Sequence, residues 1–110
     1  MTGNEYQRLA RRTINPKLYM DEVEHHALFG MCSEVGELLG IYQKIFQGHE
    51  PDGHHMMKEL GDLLWFIAEY CTSMGWNLEH VMELNINKLK ARYPEKFTIE
   101  QSIHRAEGDI

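Results

Sequence analysis

A six-residue pattern occurs twice in this chain, as Glu34-Val35-Gly36-Glu37-Leu38-Leu39 and again as Glu59-Leu60-Gly61-Asp62-Leu63-Leu64. Each copy lies in a run with helical hydrophobic spacing, so each can be placed on a helical wheel. With Val35 at zero, Leu28, Met31, Leu38, Leu39, Tyr42 and Phe46 fall within about 60°, while Glu34 and Glu37 fall at about -100° and -160°. With Leu60 at zero, Met56, Leu63, Leu64, Ile67, Cys71 and Met74 fill the same sector, and Glu59 and Asp62 take the same two angles as the first acid pair, about -100° and -160°. Two helices packed antiparallel would then bring their acid pairs face to face beside an apolar core. Gly36 and Gly61 each weaken a helix by about 1 kcal/mol relative to alanine. Their recurrence predicts a close backbone approach.

Four converging carboxylates repel one another unless a proton or a cation intervenes. An all-oxygen donor set is the preference of Mg²⁺, with Mn²⁺ close behind. A solvated helix face accounts for any one of these acids. It accounts poorly for two pairs that share spacing, glycine and wheel angle. Histidine offers a rival metal chemistry, since Glu22 and His25 form one Glu-x-x-His unit, but no second copy exists to complete a di-iron set. His25-His26 and His54-His55 are adjacent pairs that point to different sides of a helix, unlike a zinc-binding pair. They are expected to face solvent or to orient other ligands. Cys32 and Cys71 make no disulfide framework and are expected to be small buried hydrophobes.

The rest of the chain reads as helix separated by breakers. Thr2 and Glu5 form a capping box for a helix over about residues 3–13, ended by Asn15-Pro16. Asp21 and Glu24 open a long helix to about Phe46, stopped by Gly48. Asp52 caps a third helix that ends at Gly75, and Asn77 caps a fourth that carries through Arg92 and stops before Pro94. Thr98 and Gln101 cap one further turn before a C-terminal tail. Nothing alternates with a period of two. The expectation is therefore an all-α bundle of four main helices, one domain over residues 1–97 followed by a short turn and tail at 98–110.

Net charge is -6, which excludes duplex nucleic-acid binding by bulk electrostatics. The longest apolar run, Leu63 to Ala68, is too short to span a bilayer, and the N-terminus carries no charged-then-apolar leader. A cytoplasmic protein is expected. The third helix is apolar nearly all round, with Trp65 at about 140° and Phe66 at about -120° from Leu60. That predicts a homodimer or homotetramer with Trp65 or Phe66 in or beside the contact. Stacking on a nucleotide base is the other role open to Trp65.

The fourth helix carries Asn85, Lys88 and Arg92 on one stripe, flanked by Val81, Leu84 and Leu89. The cations suit a helix C-terminus. Asn85 has no such reason to sit beside an apolar stripe. Acids that bind a cation, together with an Asn/Lys/Arg stripe, form a plausible receptor for a polyphosphate.

At these residues the chain resembles the MazG-like nucleoside triphosphate pyrophosphohydrolases of the all-α NTP pyrophosphatase superfamily. The resemblance rests on Glu34-x-x-Glu37, Glu59-x-x-Asp62 and Asn85-x-x-Lys88-Leu89-x-x-Arg92-Tyr93-Pro94, and covers about residues 4–97. The short single-domain form is similar to stand-alone bacterial and phage-type members. The resemblance implies Mg²⁺-dependent cleavage of a (d)NTP between the α- and β-phosphates, giving (d)NMP and pyrophosphate. Glu34, Glu37, Glu59 and Asp62 would hold metal; Asn85 and Lys88, with Arg92, would contact phosphates. It also implies assembly as dimers or dimers of dimers. A specialised dUTP or dCTP pyrophosphatase, or a non-catalytic nucleotide- or metal-binding oligomer, remain the alternatives, because no motif fixes the base.

Overall fold

Local capping sets the helix limits. The computed structural model describes residues 1–110 and contains no strand. Its helices are α1 (Gly3–Arg11), α2 (Met20–Phe46), α3 (Gly53–Ser73), α4 (Leu78–Arg92) and the short α5 (Ile99–Ile103). The Thr2–Glu5 capping box is formed in both directions. Asp52, Asn77 and Thr98 accept from the backbone N–H groups of His55, Glu79 and Gln101. The start of α2 differs from expectation: Tyr19 N–H donates to Glu22 Oε1 at 3.0 Å, so the helix opens at Met20 rather than at Asp21. Both long helices end in the same way. Gly48 and Gly75 have φ of +100° and +71°, and the residue after each donates back into the last turn, His49 to Lys44 O and Trp76 to Cys71 O. That left-handed turn suits glycine.

Helices α2 and α3 pack antiparallel. His26 meets Glu69, Gly30 meets Phe66, and Glu34 meets Glu59, so positions rise along one helix as they fall along the other. α1 lies across α3, where Ala10, Ala68, Cys71 and Leu78 form a small core with Tyr6, Trp65 and Ile67 against it. Buried Gln7 ties this junction together. Its Nε2 donates to Trp76 O at 2.9 Å, and its Oε1 accepts from Leu78 N at 2.8 Å. α4 rests on α1 through its first turn, where Asn4 Nδ2 donates to Glu79 Oε2, and residues 80–91 are exposed throughout.

Which face of α2 turns inward corrects the wheel argument. The buried positions are Val23, Ala27, Gly30 and Ile41, a stripe centred at about -100° from Val35, where Glu34 itself lies. The large apolar stripe is left in solvent: Val35 is 43% exposed, Leu39 62% and Phe46 92%. On α3, Leu60 and Leu64 are likewise exposed. Small residues win the intrachain contact because they let the backbones approach. A Cβ on Gly30 would collide with the Phe66 ring, whereas one on Gly36 or Gly61 would meet nothing. Gly30, not the repeated pair, is the close-approach glycine.

One further expectation changes. Cys32 is exposed and only Cys71 is buried. Trp65 and Phe66 find cover within the chain: Trp65 Nε1 donates to Thr13 Oγ1 at 2.8 Å, and Phe66 sits against Gly30 and edge-on to Trp65. The radius of gyration is 17.3 Å, against about 13 Å for a compact domain of this length. Accessible surface is 8518 Å², against about 6,300 Å² for a folded monomer of this mass. No helix is long and apolar enough to cross a membrane.

Candidate metal centre

The buried stripe of α2 runs past Glu34, and the side of α3 that meets α2 carries Glu59, Phe66 and Glu69, so acids of both copies meet in the helix contact itself. One carboxylate oxygen each from Glu34, Glu59 and Asp62 lies within 4.8 Å of the others. Glu34 and Glu59 are half-buried; Asp62 and Glu37 are exposed. Glu37, at the outer edge of the stripe, does not join the close trio. Its charge still reaches Glu34.

Electrostatics single out Glu34. Its carboxyl is pushed up to about 7, first by a hydrogen bond with Glu59, then by burial, then by the charges of Asp62, Glu59 and Glu37. Its Oε2 is buried without a hydrogen-bond partner. A buried oxygen with no donor costs free energy unless a proton or cation reaches it. Neither lysine nor arginine pairs with the trio. A small all-oxygen donor set, rich in charge and with one orphaned buried oxygen, fits a hard divalent cation. The same charge reaches α1: burial and then Asp62 raise the Tyr6 hydroxyl, whose Oη lies 3.5 Å from Gly61 O.

The predicted phosphate stripe stands elsewhere. Asn85 and Lys88 are exposed on α4, which is held to the body only near its start. Arg92 is engaged: its Nε and Nη2 each donate to Asp109 at 2.8 Å, which holds the Asp109 carboxyl below its usual value. Within one chain the structure therefore brings together three of the four acids but not the cationic stripe.

Two contacts were missed in the sequence. His55 Nε2 lies 3.0 Å from Glu59 Oε1, an i, i+4 pair that spacing alone could have shown. His26 Nδ1 contacts both oxygens of Glu69, at 2.8 and 3.0 Å, and Glu69 is 1% exposed. These two residues are 43 apart in sequence, so no local pattern signals the pair.

Comparison with known proteins bears on the same elements. The family model for the MazG nucleotide pyrophosphohydrolase domain matches residues 19–97, from the start of α2 past the end of α4. A curated relative, the Gene 37 protein of Mycobacterium phage L5, is 28% identical over 74 residues. That alignment covers 61% of this chain, and the chain spans only 63% of the relative's length. No solved structure gives a significant match.

Proposed function

The chain belongs to the MazG nucleotide pyrophosphohydrolase family, and from that premise we propose that it hydrolyses nucleoside triphosphates between the α- and β-phosphates, releasing a monophosphate and pyrophosphate with Mg²⁺ (or Mn²⁺) as cofactor. The observation that carries this reading is the convergence of Glu34, Glu59 and Asp62 around an orphaned buried oxygen. Glu37, one turn along α2, completes the ligand set. When bound, the divalent cation supplies neutralisation of the triphosphate and a lowered pKa for water. The protein's own part is to fix the carboxylates on two rigid helices, so that the attacking water and the α-phosphorus are held in line. Attack forms the new P–O bond as the bond from the α-phosphorus to the bridging oxygen breaks. A carboxylate of the cluster takes the water's proton, and pyrophosphate leaves with the bond's electron pair.

Asn85 and Lys88 contact the phosphates in this reading, where Lys88 offsets charge that grows as pyrophosphate departs. Arg92 joins them on release from Asp109. These side chains come to the acids in a homodimer or dimer of dimers. The chain's excess surface and the exposed stripe of Leu28, Val35, Leu39, Leu60 and Leu64 support such an assembly. The expected setting is the cytoplasm.

The test is product analysis over a panel of NTPs and dNTPs with Mg²⁺. Equal amounts of monophosphate and pyrophosphate support the reading. Orthophosphate release identifies a different chemistry. Turnover confined to dUTP or dCTP narrows the reading to a specialised enzyme, and binding without turnover sinks it.

A further inference from the structure

The acid trio contains one hydrogen bond from outside its own carboxyls, and a histidine makes it. His55 Nε2 lies 3.0 Å from Glu59 Oε1. The Glu59 side chain is 13% exposed and that of His55 49%, so the ring covers one side of the carboxylate while its own far edge meets solvent. Its backbone is fixed as well, because its N–H is bound by the cap residue Asp52. An ionised carboxylate only accepts, so Nε2 carries the hydrogen in this pair. Glu59 also brings a carboxylate oxygen within 4.8 Å of one on Glu34. Glu59 is thus tied to α3's first turn at the point where it faces Glu34 of α2.

We infer that His55 is a positioning residue: its Nε2–H locks the Glu59 carboxylate in the orientation that completes the cation site with Glu34 and Asp62. The inference rests on the proposed metal-dependent reading of this cluster. Its physical basis is general, since ligating carboxylates need a fixed orientation and the partner that supplies it strongly affects affinity. No other side chain outside the trio hydrogen-bonds to its carboxylates. Lys44, His49 and Glu50, which share a cavity of about 210 Å³ with His55, make no hydrogen bond to the trio.

The experiment is direct Mn²⁺ binding, followed by the electron paramagnetic resonance signal of the free ion, without nucleotide or turnover. His55→Ala should weaken Mn²⁺ binding about 10- to 100-fold, with the helical circular dichroism and metal-free Tm kept. His55→Gln retains an N–H donor at the same spacing and should recover binding to within a few-fold of wild type. Wild-type affinity in His55→Ala overturns the role of His55 while leaving the cluster as the metal site. Equal losses in both variants, with a changed preference between Mn²⁺ and Mg²⁺, make His55 a direct ligand and overturn the positioning role. A wild-type chain that binds no Mn²⁺ overturns the function reading and the role of His55 together.

Discussion

The α2–α3 hairpin and the α4 arm carry opposite charges and are built in opposite ways. The hairpin is held along its length by small-residue packing, by Phe66 over Gly30 and by the pairing of buried Glu69 with His26. Its acids are therefore set by the chain itself. The arm is held to the body at its first turn by Gln7, Asn4 and Glu79, and its far end pairs only with the C-terminal tail, through Arg92 and Asp109. Its free polar residues, Asn85 and Lys88, face solvent. A ligand site that needs both charges has one half fixed by intrachain packing. The other half is fixed only by what the arm meets.

The largest effect that would sharpen this contrast is loss of the acids. Glu34→Gln, Glu37→Gln, Glu59→Gln and Asp62→Asn should each lower NTP turnover by at least about 100-fold, with the fold retained in circular dichroism. Two such variants with near wild-type rates would show that the hairpin is not the metal site.

Next comes the uncovered stripe. Leu39→Glu or Leu60→Glu places a charge where a second copy is expected to pack, and sedimentation should shift to a 12.9 kDa monomer with little activity. An active monomer in the wild type would break the comparison, since the arm would then need no partner.

On the arm, Lys88→Ala should cost about 10-fold or more in kcat/KM, and Asn85→Ala less. Lys88→Arg should recover only part, because the planar fork and the point charge differ in geometry. Unchanged kinetics in both alanine variants would return the stripe to the role of helix-end charge.

Smaller again is the packing test. Gly30→Ala should cost about 1–3 kcal/mol by pushing Phe66 aside, read as a lower Tm for the metal-free protein.

The smallest effect is in pH. Glu34 sits near 7 in the folded protein against 4.5 for an ordinary glutamate, so the native state binds a proton that the unfolded chain releases. Its contribution is full below about pH 4.5 and is lost as pH rises through about 7. Metal-free protein should therefore lose stability across that window, and Glu34→Gln should flatten the slope. An unchanged slope would show that Glu34 is not the coupled group.

The sequence by itself determined the helices and the repeat. Thr2–Glu5, Asp52, Asn77, Thr98, Gly48 and Gly75 act on backbone groups within a few residues, so their effects do not depend on the rest of the fold. The i, i+3 acid spacing is local in the same sense, and it survived in Glu34, Glu59 and Asp62 meeting across the hairpin. The tertiary structure decided which face of α2 turned inward. A wheel ranks faces by apolar size, and size favours Val35, Leu39 and Phe46; contact between two helices also rewards closeness, which favours Ala27 and Gly30. Periodicity measures direction and does not say what lies opposite. For the same reason the stripe of Asn85 and Lys88 was readable while its distance from the acids was not. The His26–Glu69 pair, made between helices, left no trace in the spacing of either one.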